Sequence, residues 1–353
     1  MAYKVIQWAT GNVGRAAIEG VLSHPELELV GAWVHSEAKA GRDVGQLCGT
    51  DPLGIHATND VDALLATEAD CVIYSPIMAQ TAEVVRILES GKNVVTPLGW
   101  FFPFEMHDVT RVEAACRKGS VSLHGTGIHP GGITERFPLV VSGLSREIRH
   151  VRAEEFSDIR TYDAEFVVKE LMLFGKPPEE ARRSPMLRTL GHGFQQSIDM
   201  VAKGLGMTLD PEKNATQEMA VATAPIDTPI GVIEAGTVAA QRFTWQGTVR
   251  GEPVITVRVN WLMGEEHLDP AWRLDGERFE VEVTGDPPVR LTFEGLHPES
   301  LESGVERNAG IVATAMHCVS AVPAVCAAAP GIRTYLDLPM YTGRAAPDLL
   351  PGS

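Results

Sequence analysis

Apolar and polar positions follow two different rhythms along this chain. In the first third, short apolar runs alternate with segments whose apolar residues recur three or four positions apart. Residues 4–9 (KVIQWA), 27–34 (LELVGAWV), 70–75 (DCVIYS), 92–96 (KNVVT) and 121–124 read as strands. Residues 13–23, 60–67, 79–90 and 105–118 read as helices, with Asp60 as a candidate N-cap and Gly91 and Gly119 as stop signals. Strands alternating with helices predict βαβ units and a parallel sheet, because parallel neighbours need a crossover between them.

From about residue 148 the rhythm changes. A strand is expected over 148–156, with helices near 163–174 and 188–205. Residues 242–249 and 254–262 alternate around RGEP, and 278–284 and 289–294 around GDPP, so each pair predicts a β-hairpin. A helix over about 307–322 is expected to return to the first part. The expected fold is α/β plus α+β. An N-terminal domain on the parallel sheet spans 1–133, with 307–353 returning to it, and an α+β domain on a largely antiparallel sheet spans 134–306.

The first strand runs into Ala9-Thr10-Gly11-Asn12-Val13-Gly14 and then a helix. In the fingerprint G-x-G-x-x-G, Gly11 stands at the second glycine and Gly14 at the third, while Ala9 replaces the first. Gly11 lets backbone approach a pyrophosphate, and the free N–H groups of the helix start face it. About 20 residues on, where a ribose reader is expected, no acid ends the second strand. Ser36, Lys39 and Arg42 suit a 2′-phosphate and His35 an adenine face, although Glu37 lies among them. NADP is therefore favoured, with NAD left open. Later strand ends should line the same crevice: Ser75, Pro76 and Met78, then Thr96, then Gly127.

The stretch GWFFPFEM follows the strand at 92–96 and sets Glu105 among Trp100, Phe101, Phe102 and Phe104. Aromatic neighbours strip water from a carboxylate, raise its pKa and make it a proton carrier near neutrality. The competing reading is an acid in the first turn of helix 105–118, placed by the helix dipole. His124 and His129 flank the GTGI turn, and either could donate a proton. Trp100, Phe102, His129, Phe137 and Tyr162 are candidates for the substrate pocket, and His192 is undecided between structure and function.

Charge and cysteine use narrow the classes. The chain has 353 residues with 46 Asp+Glu against 30 Lys+Arg, a formal net charge of −16. This argues against broad nucleic-acid or acidic-membrane binding. No leader and no membrane span is expected from the sequence. Cys48, Cys71, Cys116, Cys318 and Cys326 form no CxxC, which suits free thiols in a reducing cytoplasm. None has the setting of an acylating nucleophile. The 11 His form no HExxH or paired Cys/His set, so no metal is expected.

The segments VIQWATGNVGR, ELVGAWVHS, GRDVGQLCG, ILESGKNVVT, GTGIHPGG and GIRTYLDLP resemble the dihydrodipicolinate reductase-like family. Within it they are most similar to the branch of 2,4-diaminopentanoate dehydrogenase and the native amine dehydrogenases. That resemblance implies that 1–133 is a Rossmann NAD(P)-binding domain, a dinucleotide-binding domain, and 134–306 an α+β substrate and dimerisation domain. It implies a homodimer and NAD(P)H-dependent reductive amination of ketones or aldehydes with ammonia, with the reverse oxidative deamination. It also implies that Glu105 takes a proton from ammonia, helps water leave the carbinolamine and stabilises the iminium. The chain departs from the pattern at His129, where relatives commonly carry Asn. Its AEEFSDIRTYDA lacks the signature of true dihydrodipicolinate reductases, and V-T-P replaces the E-K-P of glucose–fructose oxidoreductase-like proteins. The alternatives are a carbonyl or cyclic-imine reductase of the same fold and a non-catalytic NADPH-binding sensor.

Overall fold

The computed structural model describes residues 2–162, 164–298 and 300–349. Contacts divide the chain into two compact units, Met1–Gly131 with Ile311–Ser353, and Gly132–Gly310.

In chain order the first unit begins β1 (Tyr3–Trp8), α1 (Asn12–Ser23), β2 (Leu27–Trp33), α2 (Val44–Cys48), α3 (Val61–Ala66), β3 (Cys71–Tyr74), α4 (Thr81–Glu89), β4 (Asn93–Thr96), α5 (Val109–Gly119) and β5 (Ser122–Gly125). The second unit holds α6 (Phe137–Ser142), β6 (Arg146–Asp158), α7 (Pro178–Arg183), α8 (Met186–Leu205), β7 (Asn214–Ala222), β8 (Val238–Val249), β9 (Glu252–Leu262), β10 (Leu268–Asp269), β11 (Arg278–Asp286), β12 (Val289–Phe293) and α9 (Leu301–Glu306). The chain then returns to the first unit through α10 (Ala309–Cys326) and β13 (Gly331–Ile332).

The first sheet has six strands in the order β13-β5-β4-β3-β1-β2, and every pairing is parallel. Its strands are near-continuous apolar runs because both faces are covered. One face packs on α1 and α10 through Ala17, Ile18, Val21, Cys318, Val319 and Val322. The other carries Trp8, Tyr74, Ile87, Val112 and Leu123. Each large side chain so buried contributes about 1.5–3 kcal/mol of transfer free energy. The strand order reverses between β1 and β3, and at such a point the carboxyl ends of parallel strands open a crevice.

The second sheet has seven strands, order β10-β7-β8-β9-β6-β11-β12. All its pairings are antiparallel except β6 with β9. Both hairpins expected from the sequence are present. Around Arg250 and Gly251 both φ angles are positive, 55° and 81°, the geometry of a tight two-residue turn.

Several expectations are corrected. The helix expected over 105–118 starts only at Val109. Glu105 ends a separate 3₁₀ turn, Pro103–Glu105, so it is not in the first turn of α5. The proline at the start of that turn and the extended Met106 separate the two elements. The helix expected near 163–174 is reduced to a short helical turn, Val167–Leu171; Asp163 lies outside the described residues. One helical stretch, Leu301–Cys326, is long and apolar enough to cross a membrane by length and composition alone. Six residues of α10 are buried, including Cys318, Val319 and Val322, as in a core helix.

Candidate active site

The glycine turn stands at the reversal point, directly after β1. Ala9 adopts φ 77°, the left-handed conformation that glycine takes without strain. It carries the geometry of the missing first glycine on an alanine. Ala9→Gly is therefore expected to raise stability by up to about 1 kcal/mol, since relieved strain outweighs the added chain entropy. Chemical denaturation checks this, with NAD(P)H affinity unchanged.

At Gly14, an added Cβ would lie 2.1 Å from the Ala9 carbonyl oxygen, so helix and turn are in backbone contact there. At Gly11, nothing lies within 4 Å of an added Cβ, leaving open space beside the helix start. Gly11 is the N-cap and makes no side-chain cap bond. A closed turn, an open face and an uncapped helix start fit a dinucleotide pyrophosphate.

Gln7 was not singled out by sequence reasoning. It is 1% exposed, and its Nε2 donates to the Ala9 carbonyl at 2.9 Å and to Ser75 Oγ at 2.8 Å. One amide thus ties the glycine turn after β1 to the end of β3. A buried glutamine in an otherwise apolar strand was the available signal, because such a group is retained only where it is bonded.

The remaining cofactor candidates divide. His35, Ser36, Glu37, Lys39 and Arg42 are all exposed just beyond β2, where a ribose or its phosphate is read. Met78 is 58% exposed, and Ser75 and Pro76 are half-buried. Asn12 and Val13 are half-buried in the first turn of α1, whereas Thr10 is buried. Thr96 does not face the crevice as expected. It is fully buried, and its hydroxyl accepts from Leu98 N at 3.2 Å, so it shapes the loop after β4. Gly127 takes φ 134° in the turn after β5.

That loop after β4 carries Glu105. Trp100 turns with φ 55° and is 4% exposed, and Phe101 is 2% exposed. Trp100 therefore belongs to the core of the first unit, and its assignment to the substrate pocket is corrected. Phe102 is half-buried and meets Phe104 edge to face, ring centroids 4.8 Å apart. Glu105 is exposed and has no ion pair or hydrogen bond among the described residues. The expectation that its neighbours wall it off from water is not met within this unit, because two of the four aromatics point into the core.

His124 is also corrected as a proton donor. It is fully buried on β5, its Nδ1 lies 2.7 Å from the Arg333 carbonyl and its Nε2 3.3 Å from Tyr341 Oη. His129 is half-buried at the end of the first unit, and His192 is exposed on α8. In the second unit, Phe137 packs on Phe293 at 4.7 Å, and Tyr162 lies against the core.

The second unit holds a titratable group that the sequence did not single out. Burial pushes the Glu155 carboxyl up to about 7, while the Ser157 hydroxyl at 2.7 Å and Trp261 Nε1 at 3.0 Å donate to it and hold it back. Burial drives His297, 2.9 Å from Ser157 Oγ, down to about 4.

Residues 133–346 match the 2,4-diaminopentanoate dehydrogenase C-terminal domain, and residues 5–97 the dihydrodipicolinate reductase N-terminus. The chain is 34% identical over 355 residues to an amine dehydrogenase of Streptomyces virginiae, covering 95% of this chain and 96% of that one. It is 24% identical to the 2,4-diaminopentanoate dehydrogenase of Acetoanaerobium sticklandii, covering 96% and 93%. The solved amine dehydrogenase from Mycobacterium smegmatis has the same fold, with a TM-score of 0.77 at 20% identity over 98% of both chains.

Proposed function

The chain belongs to the dihydrodipicolinate reductase-like family, in the branch of 2,4-diaminopentanoate dehydrogenase and the amine dehydrogenases, and from that premise we propose that it is an NAD(P)H-dependent amine dehydrogenase. It joins ammonia to small apolar ketones or aldehydes and runs the reverse deamination. The observation that carries this reading is the unpaired Glu105, on the loop after β4, at the carboxyl edge of a sheet whose glycine turn fits a dinucleotide.

The bound nicotinamide supplies the hydride. In the forward direction, carbonyl, ammonium and NAD(P)H give amine, water and NAD(P)⁺. Glu105 takes a proton from ammonium, which frees the nitrogen lone pair for attack. The same proton then goes to the carbinolamine hydroxyl, which leaves as water. Having given that proton up, the carboxylate is ionised again and stabilises the cationic C=N carbon that receives hydride. Phe102 and Phe104 offer the nearby apolar surface, and substrate binding completes the exclusion of water. NADPH oxidation that requires both ammonium and a carbonyl compound, with a primary amine as product, tests the reading.

NADP is the preferred cofactor in this proposal, because Lys39 and Ser36 stand beyond β2 without a strand-end acid. Lys39→Ala is expected to weaken NADPH binding about 10- to 100-fold and NADH binding much less. Titration of protein fluorescence with each cofactor measures both. The same proposal carries a homodimer in a reducing cytoplasm, and five free thiols suit that setting. A carbonyl or cyclic-imine reductase of the same fold is the second reading, and turnover without ammonia would favour it.

A further inference from the structure

A polar network inside the first unit, absent from the mechanism above, sits one residue beyond the carboxyl end of β5. At its centre is Thr126, which is fully buried. Its hydroxyl bonds to Tyr335 Oη and lies 3.3 Å from Tyr341 Oη and 3.0 Å from His317 Nδ1. Tyr335 Oη is itself 3.2 Å from His317 Nδ1. The network continues from Tyr341 to His124 Nε2. His317 comes from α10, and both tyrosines come from the segment after β13.

The Arg333 carbonyl fixes the direction of part of this network. A carbonyl only accepts, so His124 Nδ1 must donate to it. In the neutral ring Nε2 is then an acceptor, and Tyr341 donates to it. The Tyr341 oxygen is left to accept from Thr126, whose own oxygen accepts from Tyr335. Four side chains from three segments, three of them within reach of it, are thus arranged around one threonine hydroxyl.

The backbone of Thr126 and of Gly125 before it meets the Glu105 loop. Thr126 N donates to the Thr96 carbonyl at 2.9 Å, at the point where that loop leaves β4. At Gly125 an added Cβ would lie 2.1 Å from the Gly99 carbonyl oxygen, 2.6 Å from Trp100 C and 2.7 Å from Phe101 N. Backbone therefore lies directly on backbone, four residues from the end of the Glu105 turn. Side-chain anchoring on one side of Thr126 and loop contact on the other join in a single peptide segment.

We propose that Thr126, with His317, Tyr335 and Tyr341 around its hydroxyl, is a positioning residue that holds the Glu105 loop in its working register. Its effect on turnover rests on the amine dehydrogenase reading, whereas its effect on the loop does not. A displacement of about 1 Å at a reacting group costs on the order of 10²-fold in rate, so an anchor of this kind acts on kcat.

The test compares Thr126→Val, which keeps the shape and removes the hydroxyl, with Thr126→Ser, which keeps the hydroxyl. Tyr335→Phe removes one donor from the edge of the network and serves if the valine variant does not fold. Hydrogen exchange of segment 97–106 is expected to quicken about tenfold in Thr126→Val or Tyr335→Phe and to return to the wild-type rate in Thr126→Ser. In active enzyme, kcat falls about tenfold with a change in KM for NADPH below about threefold, and serine restores it. Wild-type exchange in both hydroxyl-removing variants overturns the proposal. So does a serine variant as impaired as the valine, or faster exchange with unchanged kcat. A wild-type enzyme without ammonia-dependent turnover refutes the amine dehydrogenase reading instead, and the exchange result still decides this one.

Discussion

Glu105→Gln is expected to lower kcat for ammonia-dependent NADPH oxidation by about 10²–10⁴-fold, the usual contribution of a positioned acid–base group. Glutamine keeps the size and polarity of the side chain but neither takes nor returns a proton. The glycine turn is separate from Glu105, so NADPH affinity should stay within about threefold of wild type. The carboxylate is exposed and unpaired, so no buried partner is stranded and the melting temperature should hardly move. Steady-state kinetics with a panel of small ketones and aldehydes, together with a thermal melt, measures all three. Full activity in Glu105→Gln would remove this carboxylate from the mechanism.

Gly14→Val is expected to abolish measurable NAD(P)H binding and to destabilise the first unit by about 1–3 kcal/mol or more. The first carbon of any side chain at this position collides with the Ala9 carbonyl, 2.1 Å from the built Cβ, and backbone cannot turn aside as a flexible side chain would. Either α1 shifts away from β1 or the turn opens, and both move the helix start away from the pyrophosphate position. Gly11→Ala is the contrasting case. Its Cβ meets no protein atom within 4 Å, so stability should survive while cofactor binding weakens. Fluorescence titration with NADPH and denaturant unfolding of both variants separate the two effects.

The alternation of short apolar runs with helical patterns made the first unit readable, down to the Asp60 cap, which accepts from Ala63 N at 3.0 Å. The βαβ rhythm is a local property, since each short strand of a sheet covered on both faces is a near-continuous apolar run. The two hairpins were readable for the same reason, through their turn residues. β7 was missed because its apolar residues are mostly alanines crowded at one end, which gives no alternation, and four of its nine residues are exposed. β13 was missed because two residues give no period. At the candidate site, the position of Glu105 followed from strand order, but its surroundings did not. Four aromatics in five residues look alike in sequence, and only the positive φ at Trp100 decides that it and Phe101 fill core while Phe102 and Phe104 stay outside. The Thr126 network was invisible for a different reason. Its members are up to 217 residues apart, and nothing local marks a threonine that three other side chains share.

The most direct test of the central claim is a crystal structure with NADP⁺ bound, read for the distance from the Glu105 carboxylate to nicotinamide C4. A substrate carbon about 3–3.5 Å from C4, with its nitrogen within hydrogen-bond reach of the carboxylate, sets that distance at roughly 5–7 Å. A carboxylate within that range and facing C4 is the result the amine dehydrogenase account predicts; one more than about 10 Å away, turned from the nicotinamide, would contradict it.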